Sequence, residues 1–107
     1  MIRETLMLAA LLAVGQSITF GADAKAGKAA YDKSCRSCHG VDGTPNPAIA
    51  KTLKVEMRDL KSPEVQSISD DELKRIITEG KGKMKPVKTV SGAAVDDVVA
   101  YLRSLKK

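Results

Sequence analysis

Apolar residues in the second half of the chain recur at helical spacing, with no pair of strands in sight. Leu73, Ile76 and Ile77 fall at i, i+3, i+4, the signature of one buried helix face. Ser69-Asp70-Asp71-Glu72 precedes them as a capping box, with its acids against the positive helix end, and Gly80 stops the run. A second stripe, Val95, Val98, Val99, Leu102 and Leu105, predicts a helix from about Ser91 or Gly92 to Leu105, with Lys106 and Lys107 at its negative end. Nearer the start, Ala26, Ala29 and Ala30 favour a helix over Ala24 to Ser34, which Asp23 can cap. The intervening chain is punctuated. Asp42-Gly43 signals a turn, and Thr44-Pro45-Asn46-Pro47 reads as extended loop. Residues 48–54 suit a helical turn or two, and 55–66 are irregular, with Ser62-Pro63-Glu64 opening one more turn. Lys81-Gly82-Lys83-Met84-Lys85-Pro86 is a loop. No internal repeat is present. The pattern predicts an all-α domain of three to five short helices joined by long connections that need something to pack on.

The first segment belongs to a different category. Arg3 is followed by the uncharged run Leu6 to Val14, and Ala22-Asp23-Ala24 places small residues where a signal peptidase reads them. That order describes a secretory signal peptide over residues 1–24, with a mature domain over 25–107. The apolar stretch is short for a membrane anchor, and Gly15, Gln16, Ser17 and Thr19 interrupt it. The expectation is a periplasmic or otherwise exported protein with no stable membrane insertion after leader removal.

Taking Arg3, Glu4 and Asp23 away with the leader leaves 17 Lys and Arg against 11 Asp and Glu, a formal +6. A basic surface suits nucleic acid, anionic lipid or acidic protein. No nucleic-acid motif is present and the chain reads as exported, so acidic protein partners are expected. The 83-residue mature chain has two aromatics, Tyr31 and Tyr101. Chains of this size are marginal without a staple, and a large flat apolar cofactor would supply the missing core.

Cys35-Arg36-Ser37-Cys38-His39 is the Cys-x-x-Cys-His pattern of covalent haem attachment. Two thiols on one helical turn reach the two vinyl groups of a single haem, and the next residue aims its imidazole at the iron. His39 is the only histidine in the chain. A thioredoxin-type dithiol would need a βαβ setting, and a zinc site would need further Cys or His ligands; the sequence has neither. For the sixth iron position the mature chain offers Met57 and Met84. Met57 lies in a charged stretch and reads as core filler. Met84 sits in a Gly- and Pro-bearing loop beyond a capped helix, where the chain can cross to the far haem face. His/Met ligation fills both axial sites and raises the reduction potential.

These residues resemble a class I c-type cytochrome, the family of small bacterial monohaem electron-transfer proteins related to mitochondrial cytochrome c. Gly27 and Tyr31 match the family's N-terminal helix, Cys35, Cys38, His39 and Gly40 its haem signature, and Gly82-Lys83-Met84 its methionine loop. Val98 and Tyr101 match the pair on the C-terminal helix that crosses the N-terminal one at Gly27. The resemblance implies a cytochrome c fold wrapped around one covalently attached haem c. It also implies a proline carbonyl holding the histidine N–H, for which Pro47 is the first choice and Pro45 the second. The family's methionine is usually followed directly by proline, whereas Lys85 intervenes here before Pro86.

The implied function is single-electron transfer rather than enzymatic turnover. The chain reads as a soluble, monomeric carrier working between exported or membrane-bound partners of a respiratory chain, with Lys81, Lys83, Lys85 and Lys88 as the docking cluster for acidic partners. Two other readings stand beside it. One is a haem subunit docked permanently in a larger oxidoreductase complex. The other is a ligand-binding haem sensor, should the methionine bond be labile.

Overall fold

The structure is a computed structural model that describes residues 22–106. Most of the predicted leader, residues 1–21, lies outside the described residues, as does Lys107. Among the described residues six helices follow one another: α1 Ala24–Ser34, α2 Arg36–His39, α3 Pro47–Leu53, α4 Pro63–Gln66, α5 Asp70–Glu79 and α6 Ala93–Ser104. Two of them, α2 and α4, are four-residue turns, so the longer helices number four, within the expected range. Among the described residues the only β-type pairing is one isolated bridge between Lys81 and Met84.

Helices α1 and α6 form the centre. Asp23 caps α1, its carboxylate accepting from the N–H of Lys25 at 2.9 Å and of Ala26 at 3.3 Å. Asp23, which the cleavage pattern assigns to the leader, thus serves as the N-cap of α1 here. One turn on, Gly27 meets α6 so closely that a Cβ there would lie 1.9 Å from the Asp97 carbonyl oxygen. The expected crossing is present, and the missing side chain permits it. Beside the crossing, Tyr31 and Tyr101 pack with ring centroids 5.1 Å apart and planes tilted by 56°, a favourable aromatic geometry. Tyr31 is 0% exposed and Val98 1%. Val95, Val99, Leu102, Leu73, Ile77 and Val90 complete one core.

The predicted helix starts and stops are largely realised. Ser69 Oγ accepts from the Glu72 N–H at 3.1 Å. The reciprocal half of the capping box is replaced, because the Glu72 carboxylate takes Arg75 at 3.1 Å instead. Gly80 closes α5 with φ +83. Arg103 secures the end of α6, pairing with Asp70 at 2.7 Å and donating to the Gln66 carbonyl at 2.9 Å. The extended loop expected over residues 44–47 is one residue shorter than the pattern suggested. Pro47 is already helical, since the missing N–H of proline costs nothing at a first helical position.

Two stability changes follow. Gly27→Ala is expected to lose at least about 3 kcal/mol in guanidinium unfolding, at the top of the overpacking range, because the obstacle is backbone. Gly82→Ala, where φ is +59 but nothing lies within 4 Å, is expected to lose about 1 kcal/mol. Tyr31 gives a pH signature. Burial, with Cys35 and Tyr101 nearby, raises its phenol well above the ordinary 10.0. The unfolded chain releases that proton first, so stability present below pH 10.0 falls as pH rises past it. Tyr31→Phe is expected to lose about 1 kcal/mol at neutral pH and to flatten that alkaline decline, measured by unfolding at both pH values.

Candidate functional site

The Cys-x-x-Cys-His segment is held by the helix that precedes it. Cys35 ends α1, its N–H donating to the Tyr31 carbonyl at 2.8 Å. The chain then turns once more, with Cys38 and His39 N–H groups donating to the Cys35 carbonyl at 3.2 and 3.0 Å. Tyr31 reaches forward over the same turn, its hydroxyl donating to the Gly40 carbonyl at 2.7 Å. Gly40 has φ +81, and a Cβ there would meet the Thr44 carbonyl oxygen at 2.0 Å. The core tyrosine and this glycine together fix the backbone on either side of His39.

Asn46 fastens the next loop back to the turn, a role the sequence reading missed. Its N–H donates to the Cys38 carbonyl at 3.1 Å and its side-chain amide to the Ser37 carbonyl at 3.2 Å. Its side-chain oxygen meanwhile caps α3 through the Ala48 N–H at 3.0 Å. The signal was available: Asn directly before Pro is a strong helix N-cap pattern. Lys61 clamps the same loop, with Nζ at 2.7 Å from Thr44 Oγ1 and 3.1 Å from Asp59 Oδ1.

These anchors frame a cavity of about 700 Å³, lined from three segments of the chain. Cys35, Cys38 and His39 come from the first, Leu53, Val55 and Met57 from the second, and Met84, Pro86 and Val87 from the third. The structure thus brings Met84 to the same cavity as the signature, and Met57 as well. Residues 55–58 carry no regular structure, and half-buried Val55 and Met57 alternate with exposed Glu56 and Arg58. Lys81, Lys83, Lys85 and Lys88 also border the cavity. All four are exposed, and none has an ion-pair partner among the described residues. Gly27, Tyr31, Val98 and Tyr101 lie at the helix crossing, away from the cavity lining.

The cavity fits a haem on its own chemistry. Its volume falls in the ~300–1,000 Å³ range of organic-ligand pockets, and its walls are chiefly apolar. Cys35 and Cys38 are half-buried and not joined to each other in a disulfide. Burial, reinforced by Cys38, pushes the Cys35 thiol up to about 11, which keeps it protonated in the absence of a bond. Burial also lowers the His39 pKa, favouring the neutral imidazole that a metal requires. His39 Nδ1 is buried with no hydrogen-bond partner, so neither Pro45 nor Pro47 accepts from it in this structure. No group of three or more His, Cys, Asp or Glu side chains among the described residues could hold a bare metal ion.

Comparison with known proteins agrees with this chemistry. Residues 22–102 match the family model described as cytochrome c oxidase, cbb3-type, subunit III. Among solved structures, the KustC0563 c-type cytochrome is 32% identical, covering 76% of this chain and 98% of its own, with a TM-score of 0.64. No curated protein matches the chain. The match spans α1, all but the last two residues of α6, and every residue of the cavity. The chain therefore belongs to the family of the cytochrome c oxidase cbb3-type subunit III domain, a c-type cytochrome with an all-α fold around covalently bound haem c.

Proposed function

We propose that this protein is a soluble, exported monohaem carrier that passes single electrons between redox partners of a respiratory chain. Cys35 and Cys38 would form the thioether bonds to the haem, and His39 and Met84 would hold its iron. One observation carries the reading: two thiols, the sole imidazole and the Met84 thioether line a single apolar cavity. Haem supplies one reversible electron at its iron, and the chain's residues do the rest. His39, neutral and oriented by the Tyr31–Gly40 and Asn46 hydrogen bonds, presents Nε2 as a ligand. Its Nδ1 needs an acceptor in the working protein. Pro47 opens α3, which commits its carbonyl to the helical ladder, and this favours the Pro45 carbonyl over that of Pro47. Met84 is carried on a tight turn closed by two bonds with Lys81, each 2.9 Å. With both ligands fixed and the walls apolar, little has to move when the charge changes.

The alternative, a subunit docked permanently in a larger complex, draws support from the name of the matched family. Its surface would need an apolar patch, and among the described residues Val41 is the only exposed large hydrophobic side chain. No helix of the described residues is long and apolar enough to cross a membrane. A free carrier with acidic partners fits better, its four unpaired lysines steering them to the cavity.

Two measurements check this. Met84→Ala is expected to abolish the long-wavelength sulfur-to-iron absorption band of the oxidised protein and to lower the reduction potential; a retained band sinks the ligand assignment. Charge reversal at Lys83 and Lys85 is expected to slow electron transfer to an acidic partner about tenfold at low salt. The difference should vanish near 1 M salt, where the Debye length is about 3 Å. Equal rates for wild type and variant at low salt would remove the docking role.

A further inference from the structure

The loop that carries Met84 is tied down unevenly. On the α5 side the ties are backbone: the Val87 N–H donates to the Ile77 carbonyl at 2.8 Å. A Cβ on Gly80 would also lie 2.6 Å from the Met84 carbonyl oxygen. Downstream, Val90 is 3% exposed and anchored in the core. Toward the cysteine side, among the described residues, one hydrogen bond joins the loop to the signature's helix: Ser34 Oγ and Thr89 Oγ1 are 2.7 Å apart. Ser34 is the last residue of α1 and directly precedes Cys35. Both hydroxyl residues line the cavity.

We propose that the Ser34–Thr89 hydroxyl pair is a latch that positions Met84 by closing its loop onto the cysteine-bearing edge of the cavity. The inference rests on the reading of Met84 as the axial ligand. Ser34 is the immobile half, because α1 is locked against α6 at Gly27 and Cys35 is bonded back to Tyr31. Thr89 is the loop's half, on an exposed segment between the Val87 tie and the Val90 anchor. Met84 and Thr89 lie on either side of the Val87 tie, so a sulfur leaving the iron draws on the chain through Val87, and this hydrogen bond, in series with that tie, resists the motion. Ser34 and Thr89 are positioning residues, since neither is a ligand.

An external ligand exposes the latch. Imidazole binds the oxidised haem protein only when the sulfur is off the iron, so its apparent affinity scales with the open fraction. Ser34→Ala and Thr89→Val are each expected to raise that affinity roughly two- to tenfold, the effect of one lost hydrogen bond. The double variant should rise no further than either single one, because both remove the same interaction. Thr89→Ser, which keeps the hydroxyl, should bind like wild type. In a Met84→Ala background, Ser34→Ala should have no effect. Unchanged affinity in the two single variants, or additive increases in the double, would overturn the latch while leaving Met84 as ligand. If Met84→Ala itself leaves imidazole affinity and the sulfur-to-iron band unchanged, the ligand assignment fails and the latch with it.

Discussion

The carbonyl oxygen of Asp97 occupies the space where a side chain on residue 27 would begin, and the arrangement of the cavity's first wall descends from that contact. A glycine there lets α1 and α6 approach backbone to backbone. The approach seals Tyr31 completely and sets its ring against Tyr101. A buried phenol needs a hydrogen-bond acceptor, and this one finds the Gly40 carbonyl immediately after His39. One steric allowance is thereby converted, through a single side chain, into a fixed backbone position beside His39. Cys35, at the end of the same helix, inherits its place from the same crossing.

The far wall is built by a different logic. Helix α5 packs Leu73 and Ile77 into the core and ends sharply at Gly80. The chain then has only a tight turn and a few long-range ties with which to hold a thioether in the cavity. Backbone bonds fix the side toward α5, and side chains fix the side toward α1. Such a loop belongs to the less stable part of a fold, which suits a segment that has to accommodate a cofactor already attached to the opposite wall.

Much of this was legible in the sequence because covalent and steric constraints fix residue type and spacing together. Two thiols that must reach one ring, with an imidazole next in line, leave little freedom, so Cys35, Cys38 and His39 could be read directly. Helices α5 and α6 announced themselves by apolar period, and α5 also by Ser69 and Gly80 at its two ends. What escaped depends on tertiary packing. Met57 looked like filler because its neighbours are charged. Its segment proves to be irregular, with Val55 and Met57 half-buried and Glu56 and Arg58 exposed, and no helical period could reveal that. Asn46 was read as loop although its side chain caps α3 and grips the signature turn, because the flanking prolines drew attention to chain breaking rather than to helix initiation. Gly27 was legible through family resemblance alone; by propensity it is merely a weak residue in a helix.

The charges show a division of labour that the fold's small size makes necessary. Lys61, Lys74 and Arg103 are each committed to carboxylates of another segment, Asp42, Asp96 and Asp70, substituting for apolar contacts that so short a chain cannot provide. Lys81, Lys83, Lys85 and Lys88 have no such partner among the described residues and border the cavity. Unpaired cations beside an apolar site oppose any further positive charge within it, most strongly where water is excluded. Under the proposed ligation they favour the reduced iron for the same reason that they attract an acidic donor. Docking and driving force then respond together: an acceptor's carboxylate surface that neutralises the lysines also relaxes their hold on the electron and favours transfer onward, whereas the same surface on a donor works against uptake.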